Sequence, residues 1–216
     1  MGKLIDLHVH SDCSDGTCSP EELVELAKQK GLSAFALTDH DTTEGVARAR
    51  HAAEGTGVCV IPGIEFSTSY EKRDVHVLGL GIDPEDEYFQ ENLDRFRNSR
   101  DRRNEEMIRK MQEHGISITQ EEVEKLFPDA VITRAHFARF LVEKKFVGST
   151  NEAFDRYLGD RACCFVPREK VTPFQAVRLI KENGGYAVLA HPLIYGFSKG
   201  KLEELVREIK GRGRWN

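Results

Sequence analysis

The first residues equipped for chemistry stand in Asp6-Leu7-His8-Val9-His10-Ser11-Asp12-Cys13-Ser14-Asp15-Gly16. Imidazole and carboxylate side chains at such close spacing are the donors that bind Zn²⁺, Mn²⁺ or Fe²⁺. In an extended chain side chains alternate, so His8 and His10 share one face while Leu7 and Val9 share the other. Donors of the same kind recur at Asp39-His40-Asp41, Glu65, His76 and His191-Pro192. Taken singly, each has a plainer reading. His-x-His can close a strand, Asp15-Gly16 can be a turn, and Asp39 and Asp41 can cap a helix. His76 alone reads as a core histidine and His191 as a strand exit. Their joint placement is the stronger signal, because each lies in or just after a segment that reads as a strand. Paired cations held by such donors activate water and stabilise a leaving oxygen in phosphoester hydrolysis.

The elements that must position these residues follow from pattern. Residues 4–9, 32–38, 58–61, 75–80 and 186–190 read as strands. Ser19-Pro20-Glu21-Glu22 is a capping box with proline at the first helical position, and its helix runs to Gly31. Further helices are predicted over 43–54, 173–182 and 199–210. The β-α-β-α-β order predicts a parallel sheet with helical crossovers, whose carboxyl strand ends converge on one rim. After Pro84 the texture changes. Residues 87–114 are highly charged and helical in period, with Phe89, Leu93, Phe96, Ile108 and Met111 on one stripe. Thr119-Gln120-Glu121-Glu122 is a second capping box, and Thr133 and Thr150 are predicted caps. The chain thus divides into an α/β core, 1–86 and 161–216, and a helical insertion over 87–160.

Composition excludes several classes. The 216 residues are 39% hydrophobic and 31% charged, with a net charge of −5 and no sustained basic run. That disfavours a grip on long nucleic acid. No apolar stretch approaches the roughly 18 residues of a membrane span, and there is no signal-peptide pattern. Five cysteines, with Cys163 and Cys164 adjacent, predict free thiols in a reducing cytoplasm, Cys13 and Cys18 included. His51 and His114 fall on charged helices and are predicted to be solvated. Arginine grips phosphate with a bidentate fork, which makes Arg134 a candidate substrate-binding residue, with His136, Lys170 and Arg168 behind it.

The succession H-x-H, S-D-G, T-D-H-D, P-G-I-E, a strand histidine and A-H-P resembles the polymerase and histidinol phosphatase (PHP) family of amidohydrolase-like enzymes, over essentially the whole chain. The helical segment before A-H-P is similar to that of the small bacterial metal-dependent phosphoesterases. The resemblance implies a distorted (β/α)7 barrel carrying two or three divalent cations (Mn²⁺, Zn²⁺ or Fe²⁺). It implies a first metal on His8, His10 and Glu65. Glu65 would bridge to a second, completed by His76 and His191, and Asp15 and His40 would hold a third. Asp39, His40 and Glu65 would form the catalytic core, Asp39 by orienting a ligand. A metal-bound hydroxide would attack phosphorus in a small phosphorylated substrate, either a nucleotide with 3′ and 5′ phosphates or the 5′ end of a short oligoribonucleotide. The family pattern continues with a late Gly-Ser-Asp-x-His element, whereas this sequence has no aspartate after Asp160 and no histidine after His191. The barrel is therefore expected to lack its C-terminal strands, Asp6 to sit deep in the core, and the chain to bind metal but turn over weakly. A histidinol-phosphatase activity and a non-catalytic PHP module are the alternatives.

Overall fold

Alternating apolar segments become strands in the computed structural model, which describes residues 3–167 and 172–212. β1 (Leu4–Val9), β2 (Leu32–Leu37), β3 (Cys59–Tyr70), β4 (Arg73–Leu80) and β5 (Tyr186–Leu189) form one sheet in that order. α1 (Pro20–Gln29) and α2 (Glu44–Ala53) cross over between β1, β2 and β3, which run parallel at their paired ends. α1 starts where Ser19 and Glu22 close both bonds of the capping box. Its Leu23, Val24 and Ala27 pack with Ala49 of α2 on Phe35, Leu37 and Val60.

The expected parallel sheet is correct only for this first part. β3 continues past residue 61, and from Gly63 to Tyr70 it pairs antiparallel with β4; β5 is antiparallel to β4 in turn. Gly63 sits at the switch between partners. A Cβ there would stand 2.8 Å from both the Leu37 carbonyl oxygen and the Thr38 methyl, so only glycine lets three strands close at this point. The hairpin loop is Glu71-Lys72, with φ of 50° and 62°. Positive φ at both central residues is what a tight hairpin with right-handed twist requires, and it usually selects Asn or Gly. Two long charged side chains carry no such signal. Glu65 consequently lies inside β3 rather than beyond a strand. His76 lies within an antiparallel strand, so the donors do not all come from the carboxyl ends of parallel strands.

Residues 87–158 carry four helices joined by short loops, α3 (Glu87–Glu113), α4 (Gln120–Leu126), α5 (Arg134–Glu143) and α6 (Thr150–Ala153), the last running on into a π turn, Phe154–Leu158. α3, with 27 residues, is about 40 Å long and serves two cores. Its Phe89, Leu93 and Phe96 pack against the sheet with Phe66, Val77 and Ile180. Its Met107, Ile108 and Met111 join a separate cluster with Phe137, Phe140, Leu141 and Leu158. Between them the same face buries Arg100, Arg103 and Asn104. α7 (Pro173–Glu182) and α8 (Lys199–Arg212) then cover the sheet through Ala176, Ile180, Leu205 and Ile209. Cys13, Cys18, Cys59, Cys163 and Cys164 are free thiols. No helix among the described residues is long and apolar enough to cross a membrane. Asp6 is exposed, not deep in the core, and its carboxylate accepts the His8 N–H at 3.1 Å.

Candidate metal centre

Backbone registration brings the donors together. The Glu65 N–H donates to the Asp39 carbonyl at 3.0 Å, and the Asp41 N–H donates to the Glu65 carbonyl at 3.0 Å. Residues 39–41 thereby run beside β3 with His40 opposite Glu65. Ser67 pairs across the hairpin with His76, and Glu65 lies two residues before Ser67, so all three share a face. The Ala190 N–H donates to the His76 carbonyl at 3.0 Å and delivers His191 to the same place. The result is a carboxylate, 1% exposed, ringed by five imidazoles. Glu65 Oε2 stands 3.1 Å from His8 Nε2, 3.0 Å from His10 Nε2 and 3.4 Å from His40 Nδ1. Oε1 stands 3.1 Å from His76 Nδ1 and 2.9 Å from His191 Nε2. In two sets of three, His8–Glu65–His191 and His10–His40–Glu65, the donor atoms all lie within 4.8 Å of one another.

Asp15 and Asp39 take different places around this core. Asp15 lies 3.4 Å from His40 Nε2 and 3.4 Å from His10 Nδ1. Its turn folds back so tightly that a Cβ on Gly16 would meet the His10 carbonyl oxygen at 2.3 Å, which is why glycine follows it. Asp39 is buried away from Glu65. It accepts the Ser11 N–H at 2.8 Å and the Ser11 and Ser14 hydroxyls, each at 2.6 Å. Ser14 Oγ is in turn 3.3 Å from His10 Nδ1. A ring held at Nδ1 in this way keeps its Nε2 turned to Glu65.

The donor set fits divalent cations. Bonds of about 2.0–2.2 Å to nitrogen and oxygen place neighbouring donor atoms roughly 3.0–3.4 Å apart, which matches the ring-to-carboxylate spacings. A neutral imidazole lone pair aimed at a carboxylate needs a proton or a cation between them. Burial alone would raise the Glu65 carboxyl, but hydrogen bonds from His10 and His191, the His40 charge and a hydrogen bond from His76 hold it far below the usual carboxylate range. Asp15 is likewise lowered, the penalty of burial being outweighed by the charge and hydrogen bond of His40. For His40 itself burial is outweighed by Asp15, and its pKa is raised. For His76 burial wins and the pKa is lowered, leaving that ring a neutral donor. His191 Nδ1 is buried with no hydrogen-bond partner among the described residues, and the residue adopts φ 29°. Asp41, beside His40, has φ 53°. Unfavourable backbone conformations collect where a site dictates side-chain direction.

The donors open into a cavity of about 430 Å³, also lined by Arg100, Arg103, Arg134 and Phe154. That volume suits a small ligand. Arg100 reaches it from α3, bonding Asp41 Oδ2 through Nε at 2.9 Å and Nη2 at 2.5 Å, and Ser67 Oγ at 2.6 Å. Ser67 Oγ is 3.2 Å from His40 Nδ1, so this network steadies His40. The Tyr195 hydroxyl accepts the His76 N–H at 3.1 Å and donates to the Ala190 carbonyl, locking β4 to the exit of β5. The sequence reading missed Arg100, Arg103, Ser67 and Tyr195.

The predicted phosphate-binding residues are placed unevenly. Arg134 faces the cavity with its fork engaged by Asp74 at 2.7 Å and Asp160 at 3.0 Å. His136 does not line the cavity. It is 1% exposed, its ring is 4.4 Å from that of Phe127, and its Nδ1 accepts the Thr133 N–H at 3.0 Å, completing the cap of α5. Lys170 and Arg168 lie outside the described residues.

Burial pushes the His136 imidazole down to about 4, against the opposing charge of Asp15. The unfolded chain then binds a proton that the folded chain does not, in the window between about 6.5 and 4. Stability from this group is complete above the upper value and declines as pH falls through the window, by roughly 3 kcal/mol in all. His136→Gln keeps the capping acceptor and removes the titration. Urea midpoints measured at pH 7 and pH 5 should differ less in the variant than in the parent. An equal difference in both would discard this account.

Comparison with known proteins places these features in company. The PHP domain family model matches residues 6–190. A 5′-3′ exoribonuclease of Haemophilus influenzae is 37% identical over 99% of this chain and 77% of its own length. A 3′,5′-nucleoside bisphosphate phosphatase of Chromobacterium violaceum is 34% identical over 97% of this chain and 74% of its own. Among solved structures, an amidohydrolase from Chromobacterium violaceum with bound sulfate and no metal superposes with a TM-score of 0.90, at 34% identity, covering 97% of this chain and 74% of that one. A protein from Bifidobacterium adolescentis, provisionally designated a metal-dependent phosphoesterase, gives 0.84 at 27% identity, covering 96% and 75%.

Proposed function

The chain belongs to the PHP domain family, and from that premise we propose that it is a metal-dependent phosphoesterase acting on nucleotides with 3′ and 5′ phosphates or on the 5′ ends of short oligoribonucleotides. The observation that carries this is one buried carboxylate ringed by five imidazoles beside a cavity lined by three arginines. The names of the relatives supply the substrate classes.

His8, His10 and Glu65 are proposed to hold one cation, Glu65, His76 and His191 a second, and Asp15 with His40 a third. When bound, such cations lower the pKa of water toward neutrality and offset charge on phosphoryl oxygens. Manganese, zinc and iron(II) all suit imidazole with carboxylate. The chain's own part is to fix the donors. Asp39 does so through Ser14 and His10, and Arg100 through Ser67 and His40. Arg134 is proposed to exchange one carboxylate partner for a substrate phosphate, a bidentate contact of the same geometry. Arg103, from the same wall, adds positive charge.

The curled sheet is proposed as part of a (β/α)7 barrel, with 1–86 and 161–216 as core and 87–160 as a helical insertion that caps the site. The separate apolar cluster around Met107 and Phe140 supports that division, although Cys164 belongs to it too. Five free thiols accord with a cytoplasmic setting.

The test is phosphate release by chelator-stripped protein reloaded with Mn²⁺. Adenosine 3′,5′-bisphosphate and a 5′-phosphorylated triribonucleotide should turn over with kcat/KM about tenfold or more above histidinol phosphate, a preference of the size that one well-placed contact provides. The reverse preference would make the chain a histidinol phosphatase. Silence on all three substrates with metal bound would leave it a non-catalytic module.

A further inference from the structure

A second group of donors stands well away from Glu65. His114 caps the C-terminal end of α3, and Cys163 and Cys164 lie in the segment that follows the π turn. Their donor atoms all fall within 4.8 Å of one another. The two sulfurs are 3.6 Å apart, and Cys164 Sγ is 3.9 Å from His114 Nδ1. A tetrahedral cation with sulfur bonds of about 2.3 Å and a nitrogen bond of about 2.05 Å sets sulfur to sulfur at about 3.8 Å and sulfur to nitrogen at about 3.6 Å. We propose that His114, Cys163 and Cys164 form a binding site for a single thiophilic divalent cation of the zinc class, which pins the segment after the π turn to the end of α3.

Two features favour a cation here. The backbone around the site is already held, since Lys110 Nζ donates to the Phe165 carbonyl at 2.9 Å. The donors therefore meet without a loop having to close first. Cys163 and His114 are also exposed, which gives an ion a route in. As the two sulfur–metal bonds form, two thiol protons leave to solvent. The third bond replaces the contact in which His114 Nδ1–H donates to the Lys110 carbonyl at 2.9 Å, the ring proton passing through solvent to Nε2 so that the Nδ1 lone pair is free to bind. The fourth position is left to water. The pinned segment contains Asp160, the partner of Arg134, so the cation would anchor one wall of the cavity from outside.

Cadmium titration of the full chain under reducing conditions reads this site by its ultraviolet thiolate charge-transfer band, to which the imidazole and carboxylate centre contributes nothing. The expected result is one equivalent of cadmium giving the band. Both Cys163→Ser and His114→Gln, at exposed positions, should weaken it roughly tenfold or more, since even a residue that only supports a ligand is worth that much. Cys59→Ser, an exposed cysteine elsewhere, should leave it unchanged. No band in the parent, or a band undiminished in Cys163→Ser, would overturn the proposal. Neither result bears on phosphoester hydrolysis.

Discussion

Glu65→Gln is expected to lower phosphoester turnover by about a thousandfold or more and to strip the protein of most of its divalent metal, while leaving it folded. The substitution keeps the size of the side chain and one acceptor oxygen, but removes the only charge that the five rings share. Cations at such a centre are worth several kcal/mol of charge stabilisation, and each 1.4 kcal/mol or so is tenfold in rate. The amide can still hydrogen-bond an imidazole on either side, which is why folding survives. Steady-state rates together with elemental analysis check both halves of the expectation. Native metal content with native turnover in the variant would remove Glu65 from its proposed bridging place.

Arg100→Met is expected to destabilise the protein by about 3–5 kcal/mol, the usual penalty for leaving one member of a buried ion pair alone. Asp41 is fully buried and Arg100 is 2% exposed, so neither can recover its hydration when the other is lost. Asp41 also accepts the Ser67 N–H at 3.0 Å, so its carboxylate cannot simply turn away. The double variant Arg100→Met, Asp41→Asn removes the stranded charge and keeps that acceptor. It should regain at least half of the loss in urea denaturation. Equal stability of the single and double variants would instead assign the loss to packing around Ser67 and Asn104.

The sequence carried the first half of the fold well, because its signals there are local. Ser19 and Glu22 cap α1, and the apolar faces of β2 and α2 have clear periods. It carried the second half poorly, for reasons that can be located. Pro62-Gly63 reads as a break, yet Gly63 is where β3 changes partners and continues. Glu71-Lys72 makes a hairpin turn without the residues that announce one. The metal-type donors were legible through their motifs, but the residues that hold them were not. Ser11, Ser14 and Tyr195 act through contacts fixed only by tertiary packing. Arg100 and Arg103 did leave a trace: they fall on the stripe that begins with Leu93 and Phe96 and resumes at Met107, where an arginine on an outer helix face would not be. The His114–Cys163–Cys164 group joins segments some fifty residues apart, and nothing local marks it.

The sheet begins with β1 and ends with β5, and among the described residues these two strands do not pair. Even so, the rings of His8 and His191, one from each edge, stack at 5.7 Å over the same carboxylate. The outermost strands thus meet side chain to side chain where their backbones stay apart. Cations held on the two oxygens of Glu65, by His8 on one side and His191 on the other, would act as a clasp on this collar. They would link two edges that no ladder of hydrogen bonds joins among the described residues, and their binding free energy would add to the stability of the folded state. On the proposed assignment the same few atoms would serve reactivity and closure, and removing the metal would slacken the sheet at this seam while the helical core around Met107 and Phe140 stays packed.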